Sequence, residues 1–312
     1  MIKDSQIEAT ESPFSMRKGE IKVFDGKDGY VSMNQIINKI NIGHITDLHF
    51  EILNLVNEFE FITSRQLCQM LDYRKIEYKS QDKLNNKLDQ MVKSKILTRY
   101  YFSSEEGRGI FKIYCLEKMG KYLLTSREQE CKWQQTDNTK PIAMIKKRLA
   151  GNQVLIAYIQ KVKAFDSYVA KPSITAKSLG KTFKASGGSV KLTKAGKSIE
   201  FLFEIIRRED GWEKKLADKI TMYKDFYKNF VPGDSGYSMM PQLILVCEDE
   251  KNMAQVFKEI VTKKLEIPEI RLYFTTDLRQ VADTLNGSLT EFVLDENTNK
   301  YKADTVKLKL LD

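Results

Sequence analysis

Between Lys75 and Lys87 the sequence gathers Lys75, Lys79, Ser80, Gln81, Lys83, Asn86 and Lys87 within thirteen residues. These are residue types that hold and read nucleic acid. Gln and Asn make paired hydrogen bonds to adenine edges, and Lys donates to guanine N7 and O6. A Lys beside a phosphate sets position and affinity without reading sequence. Lys75 and Lys79 precede the helix that starts near Ser80 and are placed for phosphates. Ser80, Gln81, Lys83, Asn86 and Lys87 lie on its first turns, where the second helix of a helix-turn-helix meets base edges. Further cations follow along a β ribbon, at Arg99, Arg108 and Lys112, with Arg108 at the tip and suited to a minor groove or a phosphate bridge. A third group, Lys146, Lys147 and Arg148, lies in a long basic helix.

Other chemistries find less support. His44 and His49 are five apart with no Cys or His cluster beside them, so both read as structural and no metal site is expected. The phosphate-cradling pattern G-x-x-x-x-G-K-[ST] does not occur, and the glycines of Ser186–Ser189 are not followed by a suitable helix. Glu204 lies in an apolar strand of the kind that carries metal in nucleases. Such sites need an upstream Asp and a Lys two residues on. Here no Asp occurs between Asp166 and Glu204, residue 206 is Ile, and only Glu200 or Glu213 is nearby to substitute. The expectation is therefore a binding protein with no catalytic residue, metal or cofactor. A metal-dependent nicking activity through Glu204 is the alternative.

The charge is unevenly spread. The chain of 312 residues carries a net +9, divided as −4 over residues 1–60, +5 over 61–120, +11 over 121–200 and −3 over 201–312. A basic block of this kind is the footprint of a phosphate-backbone binder, with a solvated lysine-rich surface as the plainer alternative. No apolar run approaches the roughly 20 residues of a membrane span. The N-terminus has no secretory pattern, and four scattered cysteines without a C-x-x-C pair suit a reduced cytoplasm.

The elements that must position these groups follow from periodicity. A hairpin is predicted from IKVF and YVSM around Asp25–Gly29, then a helix over Met33–Ile40. This acidic region is expected to pack on the next domain or on a second subunit. HFEILNLVNEFEFI carries a helical apolar stripe, and Thr63 and Ser64 open a second helix, TSRQLCQML. In SQDKLNNKLDQMVKSKIL the residues Leu84, Leu88, Met91 and Val92 mark one face of a third. The β runs ILTRYYF and GIFKIYCL enclose a polar tip at Ser103–Gly109, and EKMGKYLL adds a helical turn or two. Three helices and a two-stranded ribbon give the winged-helix order. After a polar linker, Ser126–Thr139, a helix over Pro141–Lys163 is expected to bridge domains or form a dimer seam.

The remainder reads as α/β. Strands are predicted at Ser189–Thr193, Ile199–Arg207, Gln242–Cys247 and Ile270–Thr275, with helices at Gly211–Phe230, Lys251–Leu265 and Asp277–Leu285. Closing strands are placed near Phe292 and Val306–Leu310. QLILVC and IEFLFEII are continuous apolar runs, as strands buried on both faces should be. The Lys-, Gly- and Ser-rich stretch before them is a basic hairpin or an irregular loop. The fold class is α+β, with an arm and hairpin over 1–45, a winged helix over 46–125, a linker and basic helix over 126–168 and an α/β domain over 169–312.

ILNLVNEFEFITSRQLCQML, the helix from Leu84 running into ILTRYYF, and the ribbon ending IYCLEKMGKYLL resemble the plasmid replication-relaxation protein family of Gram-positive bacteria and their mobile elements. IEFLFEIIRREDGWEKKLADKITMYKDFY, with Lys219 and Tyr223, followed by QLILVCED, extends the resemblance over roughly residues 48–276. It implies a sequence-specific binder of double-stranded DNA acting in replication, maintenance or transcription control of a plasmid, phage or integrative element. It also implies a C-terminal domain similar to a restriction-endonuclease-like core, here degenerate because the acidic pair before Glu204 is missing. A cytoplasmic homodimer working with replication or transcription machinery, and away from membranes, is the expected setting.

Overall fold

The computed structural model describes residues 11–26, 29–105, 107–108, 111–285, 287–295 and 300–306. The chain divides into two compact bodies, one formed by Arg17–Gln160 and the other by Met1–Met16 together with Lys161–Asp312. The long basic helix thus falls almost wholly in the first body.

In the first body β1 (Ile21–Phe24) leads to α1 (Met33–Asn41) and α2 (Asp47–Phe59). Then come β2 (Ile62–Thr63), α3 (Ser64–Tyr73) and α4 (Gln81–Lys93). β3 (Leu97–Ser104), β4 (Gly107–Arg108), β5 (Ile113–Leu116), α5 (Lys118–Ser126) and α6 (Ile142–Lys161) complete it. The helices start where side-chain caps are available. Thr63 accepts from Gln66 N and Gln66 answers to Thr63 N, a reciprocal capping box for α3, while Ser80 accepts from Lys83 N at the start of α4. On α4, Leu84, Leu88, Met91 and Val92 are all buried, each contributing about 1.5–3 kcal/mol of apolar burial.

The predicted N-terminal hairpin does not form. β1 pairs antiparallel with β3, from Ile21 opposite Ser103 to Phe24 opposite Tyr100, giving the order β1-β3-β5-β2 with β4 on β3. Phe24 meets the Tyr100 ring edge-on at 6.0 Å and Asp25 N donates to Arg99 O at 2.9 Å. The other half of the expected hairpin is used differently, because Ser32 caps α1 in a box with Gln35.

The second body contains β6 (Phe165–Val169), β7 (Ser173–Ala176), β8 (Lys181–Lys184), β9 (Ser189–Lys194) and β10 (Lys197–Ile205). α7 (Trp212–Lys228), β11 (Gln242–Cys247), α8 (Glu250–Thr262) and β12 (Leu272–Thr276) follow. α9 (Asp277–Ala282), β13 (Thr290–Asp295) and β14 (Lys300–Thr305) close the described chain. Of the closing strand predicted at Val306–Leu310, residues 307–310 lie outside the described residues, and the strand that forms ends just before it. The seven-stranded order is β14-β13-β12-β11-β10-β9-β6, with β10, β11 and β12 parallel and the other pairings antiparallel.

Side chains of α7, α8 and the β7–β8 hairpin share one core with Leu202, Leu245 and Phe274 of the parallel strands. The Lys-rich stretch therefore resolves as a hairpin that turns Ile174, Ala176 and Phe183 inward. Gly187 lies against β10 so closely that an added Cβ would come within 2.6 Å of Phe203 Cβ, so a larger residue is excluded there. At the carboxyl ends of the parallel strands, Arg207 is buried against Asp277, and residues 12–16 close over them. Ser12 donates to Asp277, and Met16 N donates to Glu248 Oε1 at 3.1 Å. Among the described residues no helix is long and apolar enough to cross a membrane.

Candidate nucleic-acid interface

α4 presents two unlike edges. Along one, Lys83, Lys87 and Gln90 face an open groove of about 980 Å³ that runs to Leu48 at the start of α2 and to Tyr78 and Lys79 in the α3–α4 link. Asp72 and Glu77 lie at its loop end. Along the other edge are Asp82 and Asp89, and Asp89 is bound by Arg99 of β3 at 3.0 Å and by Lys93 at 2.7 Å. The basic edge is thus turned toward α2 and the acidic edge toward the ribbon.

Lys75, Lys79, Ser80, Gln81, Lys83 and Asn86 are all exposed, and the structure brings them together on the α3–α4 link and the first turns of α4. Lys75 occupies a left-handed position, φ 56°, where its N–H and that of Ile76 turn back onto the last carbonyls of α3. Gln81 is held from both sides. It accepts from Cys68 Sγ at 2.7 Å and donates to Asn85 Oδ1 at 3.2 Å, so its amide is oriented before any ligand arrives. Lys87 is half-buried, with Nζ 3.5 Å from Nε2 of the buried His49. His49 also accepts from Thr46 N through Nδ1. Burial and the neighbouring Lys87 charge push the His49 imidazole down to about 4, so it is neutral at pH 7.

Three predicted phosphate binders belong instead to the interior. Arg99 is 11% exposed, bridging Asp25 and Asp89 at 3.0 Å each. Lys146 is 1% exposed and paired with Glu20 at 2.5 Å, and Arg148 is 12% exposed beside Glu60 at 3.5 Å. For Lys146 and Arg148 the reason is that α6 is buried on most of its circumference, from Ala143 to Tyr158, so its cations must find acids within the fold. Arg99 is covered because β1 pairs with β3 and brings Asp25 to it. Lys147 is half-buried and Lys112 exposed. The backbone of Arg108 lies in β4, and its side chain is outside the described residues.

Sequence reasoning passed over a second depression on the same side of α4. Lys39, His44, Gln90, Lys93 and Ser94 line it together with His49. Its one signal in the sequence is that no Asp or Glu occurs between Asp28 and Asp47, inside an otherwise acidic region.

In the second body Glu204 is buried and its acceptors are occupied. Ser186 Oγ donates to it at 2.8 Å, Tyr223 OH donates at 2.8 Å, and Lys219 Nζ is 3.7 Å away. Ser186 Oγ also accepts from Ile205 N at 2.7 Å, which ties the glycine pair to β10 rather than to any phosphate. Burial and the Glu204 carboxylate drive the Tyr223 hydroxyl well above its ordinary range. Ile206 is buried, and among the described residues no three His, Cys, Asp or Glu side chains converge as metal ligands. The arrangement is a strand-to-helix hydrogen-bond network. Protein-family models, curated proteins and solved structures give no significant match to this chain.

Proposed function

We propose that the first body is a winged-helix unit that binds double-stranded DNA sequence-specifically, with α3 and α4 as the helix-turn-helix and the β3–β5 ribbon as the wing. The observation that carries this reading is the row Lys79, Lys83 and Lys87, at four-residue steps beside an open groove, with Gln81 and Asn86 exposed on the same turns. The lysines suit phosphate and guanine, and the amides suit adenine. Lys75 and Lys112 supply outer phosphate contacts. The second body is read as a scaffold similar to a degenerate endonuclease-like core, and the occupied acceptors of Glu204 support binding rather than cutting. The resemblance drawn from the sequence suggests a homodimer acting in replication, maintenance or transcription control of a mobile element.

Reversing Lys79, Lys83 and Lys87 to Glu should abolish the shift of duplex DNA in a gel at moderate salt, with circular dichroism unchanged. Wild-type affinity in that variant would remove α4 from the role of reader. Supercoiled plasmid with Mg²⁺ should be nicked no faster by the protein than by its Glu204→Ala variant.

A further inference from the structure

The depression beyond Gln90 has the chemistry of an anion site. It encloses about 350 Å³ between the end of α1, the α1–α2 link and the end of α4, and none of its lining residues is acidic. Lys39 reaches into it and donates to Ser94 Oγ at 2.5 Å, so its ammonium is held by a neutral hydroxyl rather than by a carboxylate. His44 lines the rim because Gly43, at φ +73°, folds the link back on itself. In that turn both His44 N and Ile45 N donate to Lys39 O. Lys93 stands on the opposite wall, and Gln90 offers an amide to both this depression and the α4 groove.

Two helix C-termini end here, and their partial negative charge would ordinarily oppose an anion. Both ends are closed. At α4, Ser94 N, Lys95 N and Ile96 N take the carbonyls of Gln90, Val92 and Met91, and at α1, Ile42 N, Gly43 N and His44 N take those of Asn38, Ile40 and Lys39. What remains directed into the space is the ammonium of Lys39, the His44 ring and the Gln90 amide, while the ammonium of Lys93 on the wall is already paired with Asp89 at 2.7 Å. The depression shares Gln90 and His49 with the surroundings of Lys87, and only Lys93 on its wall reaches the acidic edge, through Asp89.

We propose that this depression is a phosphate-binding site, filled by a backbone phosphodiester of the duplex that lies along α4. The source of the phosphate rests on the DNA-binding reading above; the anion chemistry does not. Neutralising one phosphate contact lowers the slope of log K against log salt by about 0.9 on duplex DNA. Lys39→Met should show that decrease in a fluorescence-anisotropy salt series, and Lys93→Met a smaller one. Ser94→Ala, which removes the hydroxyl and keeps the charge, should retain the wild-type slope, as should Lys39→Arg. A wild-type slope in a folded Lys39→Met protein overturns the site.

Inorganic phosphate separates the two readings. Titrated into the wild-type protein, it should move the His44 ring resonances, and the response should be lost in Lys39→Met. If wild-type protein fails to bind DNA, the DNA reading falls, and this titration then decides the pocket alone: a response lost in Lys39→Met upholds an anion site, and no response overturns it.

Discussion

α4 and α6 are both lysine-bearing helices of the first body, and they use the same residue type in opposite ways. On α4 the cations Lys83 and Lys87 border a groove open to solvent. On α6 Lys146 and Arg148 turn inward to Glu20 and Glu60. The difference comes from how much of each helix is covered. α4 buries one stripe, Leu84, Leu88, Met91 and Val92, and leaves the rest to solvent, whereas α6 is enclosed around most of its surface. A buried ammonium must meet a carboxylate, while an exposed one is left for a ligand. The charge of a segment is therefore a poor guide to the potential at the surface.

The contrast is most sharply tested at Lys146. Lys146→Ala leaves Glu20 buried without its partner and should cost about 3–5 kcal/mol in urea unfolding. Lys83→Ala should stay within about 0.5 kcal/mol while weakening DNA binding. Loss of DNA affinity in Lys146→Ala at undiminished stability would break the distinction.

A smaller effect comes from pH, through the His49 imidazole under Lys87. Its folded pKa of about 4 lies below the ordinary value of 6.5, so the unfolded chain takes up the proton first as pH falls. Its contribution is complete above about 6.5 and is lost progressively down to about 4, about 3 kcal/mol in all at most. His49→Gln should flatten the denaturation midpoint over that window, and an unchanged pH profile would show that His49 is not the group that titrates there. The smallest effect is at the end of α4, where Lys95 is left-handed at φ 56° and closes the helix as glycine usually does. Lys95→Gly should raise stability by about 0.5–1 kcal/mol in thermal melts, and a loss would mean that the Lys95 side chain matters more than its backbone.

The parts that were legible in the sequence are those decided locally. Ser80 as a cap, followed by Leu84, Leu88, Met91 and Val92, states α4 outright, and QLILVC reads as a buried parallel strand because it has no polar side to show. The parts missed depend on contacts between distant segments. Nothing near Ile21–Phe24 announces that its partner is β3 rather than the residues after Gly29. Lys146 carries no local mark of the Glu20 that draws it inside, and it looks like Lys83 until both helices are packed. Ser186 and Tyr223 come to Glu204 only when the glycine pair and α7 are folded against β10. The spacing of His44 and His49 speaks only to a metal, and says nothing of an anion beside His44. The stretch without acids around Lys39 is the local feature that bears on the proposed anion site.

Residues 12–16 belong with the second body, yet the chain traverses the entire first body before it returns at Lys161. In connectivity the first body is thus an insertion, an excursion leaving and re-entering one module. A fragment cut at Lys161 would not be a whole module. It would lack the hydroxyl that Ser12 gives Asp277 and the N–H that Met16 gives Glu248, two buried carboxylates left short of donors. Residues 12–16 are best regarded as a piece of the second body carried by the first, and a dissection of this protein into halves should supply the segment that holds them as a separate peptide for complementation.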